Sequence, residues 1–257
     1  MITERWFDCD LAVVDVETTG LDPKNDRVIE VGVVHMRGGE ILESWGHLID
    51  PERDIPDVVV QITGIQQSDV DGKPTFRDII DELRSRLTDR VFVAYNLGFD
   101  SAFLKSEFDR ARVPWPESPC LDPLVFAREF HKDAGSKRLG KVAERLGIEL
   151  LEAHRAVNDA EVAGKVLYAF RDKLPPVLED LEVLQRQWAI QQEQALAAQR
   201  RRRGAEVDDD DIPMIPMAAL ESDEGIILGP AYIYGSEPDP LRYFYSQLPE
   251  VGARRSS

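Results

Sequence analysis

Hydrophobic and polar positions along this chain follow two rhythms, one of strands and one of helices. Residues 11–20 (LAVVDVETTG) form a near-continuous apolar run of Leu11, Ala12, Val13, Val14 and Val16. Such a run predicts a buried strand, here ended by Thr18-Thr19-Gly20. Residues 27–36 (RVIEVGVVHM) and 40–49 (EILESWGHLI) predict two further strands, with Arg37-Gly38-Gly39 as the hairpin signal between them. Three strands this close together predict an antiparallel meander. Residues 50–78 carry Pro51, Pro56, Gly64, Gly72 and Pro74 and read mostly as loop with short helical turns.

The helical rhythm starts with Ile79, Ile80, Leu83 and Leu87, which predict an amphipathic helix over 76–88. Residues 91–95 (VFVAY) predict a short buried strand, and Ala102, Phe103, Phe108 and Ala111 mark the helix after it. Pro114, Pro116 and Pro119 interrupt the chain. Two more helices follow over 121–130 and 139–146, the second with Ser136 as its cap. A loop at 149–153 leads into a helix over 156–170, with Val162, Val166, Leu167 and Phe170 on its apolar side. Strands first, then a strand among helices, predict an α/β domain with a mixed sheet, 1–173.

The remainder has a different texture. Leu181, Leu184, Trp188, Gln191, Ala195 and Ala198 follow a 3-4 spacing and predict a helical extension over 174–204. Arg200–Arg203 and then Asp208–Asp211 are opposed charge blocks, the mark of a solvated segment. Residues 205–257 form an acidic and aromatic tail with Tyr232, Tyr234, Tyr243, Phe244 and Tyr245. Two readings of this tail stand open: a flexible, disordered end, or a segment that orders against a partner or the domain. No internal repeat is seen.

Composition narrows the class. A chain of 257 residues suits one substantial domain with a tail. With 43% hydrophobic and 31% charged residues, the composition is that of an ordinary soluble protein. No apolar run reaches the roughly 18 residues of a membrane-spanning helix, and the first residues lack a signal peptide's pattern. Cys9 and Cys120 have no metal-ligand spacing, so free thiols and a cytoplasmic location are expected. The net charge of -17 argues against nonspecific nucleic-acid binding. An enzyme that grips phosphates through metal ions remains compatible, though with weak substrate affinity unless a basic patch or a partner helps.

Asp15 and Glu17 carry the first chemical signal. Two residues apart on a strand, they share one face. Like charges side by side in a buried strand are costly, and a hard divalent cation with oxygen ligands compensates them. On this stretch alone, an ordinary edge strand with two solvated acids fits as well. Asp100, at a strand-to-helix junction, reads alone as well as a helix N-cap. Asp159 alone reads as a polar helix face, and His154 alone as a surface histidine. Their joint occurrence carries the argument.

Together they resemble the DEDDh family of 3′–5′ exonucleases, the DnaQ-like group that includes the proofreading epsilon subunit of bacterial DNA polymerase III. The resemblance covers about residues 8–172. DVETTG is similar to the family's D-x-E motif, AYNLGFD to H-N-x-x-F-D, and HRAVNDA to H-x-x-x-x-D. ITGI at 62–65, CLDPL at 120–124 and RLGKVAERLGI at 138–148 add smaller echoes. One position departs: Tyr95 stands where many members have His, which is expected to alter packing or substrate approach. The resemblance implies an RNase H-like mixed sheet flanked by helices. It implies two Mg²⁺ or Mn²⁺ ions held by Asp15, Glu17, Asp100 and Asp159, with His154 as general base. By the same analogy, Thr18, the backbone at Thr19, Leu21, Asn96 and Phe99 meet the terminal nucleotide or position Asp100. Lys137, Arg138 and Arg155 either line the phosphate path or are plain surface charge.

The implied activity is release of nucleoside monophosphates from the 3′ end of DNA, in proofreading or repair. The same chemistry on RNA, as in oligoribonuclease- or RNase T-like relatives, is the near alternative. A different class is an accessory module that recruits a polymerase or another protein through its C-terminal extension.

Overall fold

The computed structural model describes residues 4–149 and 155–203. Strand β1 (Leu11–Thr18) is the middle of a five-stranded sheet, between β2 (Val28–Arg37) and β4 (Val91–Val93). Strand β3 (Glu40–Leu48) lies outside β2, and β5 (Cys120–Leu121) lies outside β4. The β1–β2 and β2–β3 pairs are antiparallel, while β1–β4 and β4–β5 are parallel. The sheet is therefore mixed, as the order of the sequence patterns predicts. Gly38 and Gly39, at φ 63° and 92°, make the β2–β3 turn in a region that only glycine enters cheaply.

Both faces of β1 are covered, which is why its apolar run does not alternate. Leu11 and Val13 point into one core, and Ala12, Val14 and Val16 into the other. Helices α3 (Phe76–Leu87) and α4 (Leu97–Ala111) cover the Ala12 side through Ile80, Leu83, Phe103 and Phe108. Helices α5 (Pro123–Phe130), α6 (Leu139–Leu146) and α7 (Ala156–Ala169) cover the Val13 side through Phe126, Val142 and Val166. The stretch read mostly as loop holds two short helices, α1 (Asp57–Thr63) and α2 (Gln67–Val70). They are too short to be stable by themselves and are held by packing Val59 and Val70 on Ile29.

Glycines set how closely α7 approaches the sheet. Gly32 and Gly46 are cross-strand neighbours on β2 and β3. A side chain at Gly32 would overlap the backbone of Ala156 and Val157, and one at Gly46 would overlap the Val157 side chain. This notch seats the first turn of α7 directly on the sheet.

Past residue 173 the chain stays on the domain. Leu174 is buried with Trp6 and Phe7, the Trp6 N–H donates to the Pro176 carbonyl at 3.0 Å, and the Leu178 N–H to that of Glu4 at 3.1 Å. Helix α8 (Leu178–Arg203) follows. It buries Leu181, Gln185 and Ala189 and packs Trp188 on Phe126 and Phe130, while Gln191, Ala195 and Ala198 are exposed, so the 3-4 spacing marks the inner face only over the first half of the helix. The reason is that α8 meets two partners, helix α5, whose Phe126 and Phe130 receive Trp188, and the β5 edge, whose backbone groups take the polar Gln185. The tail at 205–257 and the 150–154 part of the 149–153 loop lie outside the described residues. Among those described, no helix is long and apolar enough to cross a membrane.

Candidate active site

The site assembles where β1 runs past its shorter neighbour. β1 pairs with β4 only from Leu11 to Val13, so its C-terminal end extends free of a parallel partner. Asp15 and Glu17 stand on that end, on the α7 side. Asp15 pairs across the sheet with Gly32, the residue whose missing side chain admits α7. The first turn of α7 therefore brings Asp159 over β1. One carboxylate oxygen each from Asp15, Glu17 and Asp159 lies within 4.8 Å of the others.

Asp100 reaches the same end from α4. Its Oδ1 accepts the Val16 N–H at 3.0 Å, a backbone donor beyond the end of β4. It is not the helix N-cap; Asn96 holds that position in left-handed conformation, φ 72°. This turn also starts α4 at Leu97, five residues before the apolar spacing from Ala102 announces it, and ends β4 at Val93.

The electrostatics are those of an acidic cluster. Burial pushes the Asp15 carboxyl well above the usual carboxylate range, and Asp100, Asp159, Glu17 and Glu30 push it further. Burial raises Glu17 as well, then Asp159, Glu30 and Asp100, with Arg155 opposing. Asp100 is raised by burial and partly relieved by the Val16 hydrogen bond. Closely set carboxylates that repel one another are a hard, all-oxygen donor set that could hold a divalent cation. The two cysteines are free, and burial lifts both thiols to about 11, a range in which they are protonated and unreactive.

The remaining sequence-predicted residues fall around this cluster in different settings. Thr18 is buried and its hydroxyl donates to the Gly20 carbonyl at 2.6 Å. The Thr19 N–H donates to the Arg27 carbonyl at 2.8 Å, and its hydroxyl accepts from the Arg27 N–H at 3.0 Å, so both groups close the loop after β1. Leu21, half-buried, packs on the α4 side. Phe99 is buried against Phe103 with ring centroids 4.9 Å apart. Tyr95 is buried, and its hydroxyl donates to the Lys137 carbonyl, tying the second motif to the segment before α6. Arg155 is tied to Glu30, at 2.9 and 3.1 Å. His154 lies outside the described residues.

Sequence reasoning missed three buried acids that hold this arrangement. Glu30 pairs with Glu17 across β1–β2, and its Oε2 accepts the Ala156 N–H at 3.2 Å, fixing the start of α7. Glu107 Oε1 accepts from Arg27 Nε at 2.8 Å and the Val28 N–H at 3.2 Å, anchoring the far end of the loop after β1. Asp122 accepts the Asn96 and Leu97 N–H groups at 3.0 and 3.1 Å, and burial raises its carboxyl to about 6. Glu30 was visible as a charge within an apolar strand, the same signal that marks Asp15. Asp122, followed by Pro123 at a helix start, carried a capping signature.

Known proteins share both sequence and fold with this chain. Residues 12–167 match the model of the RNase T exonuclease family. The PolC-type DNA polymerase III of Clostridium perfringens is 36% identical over 165 residues, 64% of this chain and 11% of that protein. The 3′–5′ exonuclease DinG of Bacillus subtilis is 33% identical over 163 residues, 63% of this chain and 18% of that protein. The chain thus spans only a small part of the length of these relatives. Among solved structures, exonuclease X in complex with 5′ overhanging duplex DNA superimposes with a TM-score of 0.55 at 20% identity, over 68% of this chain and 99% of that one. E. coli exonuclease I in complex with a dA16 oligonucleotide gives 0.58 at 20% identity, over 66% and 42%. These likenesses identify the sheet and its helices as RNase H-like. With the family model spanning β1 to α7 and the acidic cluster at the end of β1, the chain belongs to the RNase T exonuclease family, in its DnaQ-like 3′–5′ group.

Proposed function

We propose that this chain is a metal-dependent 3′–5′ exonuclease that hydrolyses phosphodiester bonds from the 3′ end of DNA and releases nucleoside monophosphates, in proofreading or repair. The observation that carries this reading is the convergence of Asp15, Glu17 and Asp159, with oxygens within 4.8 Å of one another, beside Asp100. DNA is favoured over RNA because the relatives are named for DNA polymerase III and the neighbouring structures hold DNA.

Asp15, Glu17, Asp159 and Asp100 would hold two Mg²⁺ or Mn²⁺ ions. Bound there, the ions supply the positive charge that stabilises the attacking and leaving oxygens of an in-line displacement. The protein's own share is positioning and proton transfer. His154, five residues before Asp159, takes the proton of the attacking water, for which an imidazole's ordinary pKa near 6.5 is suited. Thr18, Leu21, Asn96 and Phe99, with the Thr19 backbone, shape the path of the terminal nucleotide.

The test is a nuclease assay on 5′-labelled single-stranded DNA, mismatched-primer DNA and RNA of one sequence, with Mg²⁺, Mn²⁺ or EDTA. Metal-dependent shortening from the 3′ end, fastest on DNA and absent in Asp15→Ala and Asp159→Asn, is expected. Faster cleavage of RNA moves the reading to an exoribonuclease. No cleavage with either metal overturns it in favour of a binding module that recruits a polymerase or other partner through the C-terminal extension.

A further inference from the structure

Helix α8 lies beyond the region that matches the exonuclease family, yet its polar side chains complete the sheet edge next to the site. β5 is an outer strand with β4 on one side only. On its other side α8 supplies what a sixth strand would. Gln185 Oε1 accepts the Asp122 N–H at 2.6 Å, and Gln185 Nε2 donates to the Cys120 carbonyl at 3.1 Å. Glu182 Oε1 accepts the Cys120 N–H at 3.1 Å. A carboxamide has both an acceptor and a donor, so Gln185 replaces the C=O and N–H of an absent strand. It is 1% exposed, a setting that glutamine rarely occupies without such a task.

The residue that Gln185 holds is the one that fixes the second motif. Asp122 accepts the N–H groups of Asn96 and Leu97 with its two carboxylate oxygens. Those bonds hold the left-handed turn at Asn96 from which α4 departs. Asp100 sits in the first turn of that helix and reaches Val16. Gln185, Asp122, the Asn96 turn and Asp100 are thus joined by hydrogen bonds and one helical turn.

We propose that Gln185 is a positioning residue for the nuclease site, setting Asp100 against β1 through Asp122 and the Asn96 turn. Its structural half stands alone; its catalytic half rests on the exonuclease reading above. A helix outside the family-matched region then becomes part of the working domain. A truncation before α8 leaves the first and third motifs intact and loosens the second.

The test compares Gln185→Met, which keeps the side-chain length and removes both hydrogen bonds, with Leu181→Ala, which loosens α8 packing and leaves those bonds. Both are made in the full chain and read at a temperature where each is folded. One readout is amide hydrogen exchange at Asn96 and Leu97; the other is kcat and KM on single-stranded DNA with Mn²⁺. Gln185→Met is expected to speed exchange at both amides and to lower kcat roughly 10- to 100-fold with KM nearly unchanged, the scale of a misplaced catalytic group. Leu181→Ala is expected to do neither. Unchanged exchange in Gln185→Met overturns the inference, as does faster exchange with wild-type kcat, or equal losses in the two variants. A wild-type protein that cuts no nucleic acid sinks the exonuclease reading instead, and the exchange result still decides the structural half. Should Gln185→Met fail to fold, native-state exchange on the wild type decides: the amides of Asn96, Leu97 and Asp122 open as one unit, and separate opening overturns the coupling.

Discussion

Asp15→Asn should make the metal-free protein more stable and the metal-loaded protein less so. The oxygens of Asp15, Glu17 and Asp159 lie within 4.8 Å of one another. At an effective dielectric of about 20, unit charges at that spacing repel by roughly 3.5 kcal/mol. Partial protonation takes up some of this, because burial and the neighbouring acids raise the Asp15 carboxyl. We expect a net gain of about 1–3 kcal/mol for the isosteric amide in EDTA, roughly 2–10 °C in Tm for a domain of this size. The sign with pH follows from the raised carboxyl. The wild type suffers the full penalty above its folded pKa and loses it as the group protonates. The gap between variant and wild type therefore grows from acid toward neutral pH and closes below the unfolded carboxylate value near ~3.9. In Mn²⁺ at about 100 times its Kd, the wild type gains about 2.7 kcal/mol and the variant, short of one ligand, gains much less. Calorimetry of both proteins in EDTA and in Mn²⁺ at low ionic strength reads this crossing directly. A variant that melts no higher than the wild type in EDTA refutes the stored repulsion, and equal Mn²⁺ shifts refute Asp15 as a ligand.

Three further outcomes are expected. Gly32→Ala forces α7 off the sheet and should cost about 1–3 kcal/mol while lowering kcat, whereas Gly135→Ala, with open space around it, should change neither; chemical denaturation and turnover separate the two. Glu107→Gln removes the charge facing Arg27 Nε at 2.8 Å and Arg110 Nη1 at 3.2 Å. It should cost roughly 2–4 kcal/mol, near the cost of breaking a buried ion pair, and an unchanged denaturation midpoint would show that the pair contributes nothing. His154→Ala should lower kcat by roughly 10²–10⁴-fold and leave the Mn²⁺-induced rise in Tm intact, and loss of that rise would make His154 a metal-site residue rather than a base.

Strands β1 to β4 and the acidic motifs were legible because both are local, whereas β5 at Cys120–Leu121 falls where the patterns predict the start of a helix. Val13, Val14 and Val16 announce a buried strand wherever they occur, and Asp15 and Glu17 share a face because a strand repeats every two residues. The mixed sheet followed from the order of the patterns alone. Short-range signals also marked the hairpin at Gly38-Gly39 and the helix ending at Leu87. The start of α4 was not legible, since the left-handed turn at Asn96 has its amide and that of Leu97 taken by Asp122, 26 residues on. The inner face of α8 was not legible either. Its spacing fits a heptad and does place Leu181 and Trp188 inward, but α8 also meets the β5 edge, which needs Gln185 rather than Leu184.

By itself, then, the sequence determined the first three strands and the main helices of the domain, which acids share the face of β1, and which three motifs stand in exonuclease order. Tertiary structure alone decided that Gly32 admits the first turn of α7, so that Asp159 arrives over Asp15, and that Asp100 is spent on the Val16 amide rather than on capping its helix. It alone made Glu30, Glu107 and Asp122 parts of the frame. The physical reason is range. Periodicity and turn chemistry act over a few residues, whereas a buried carboxylate takes whichever amides or cations the packed chain brings to it, and those come from tens of residues away.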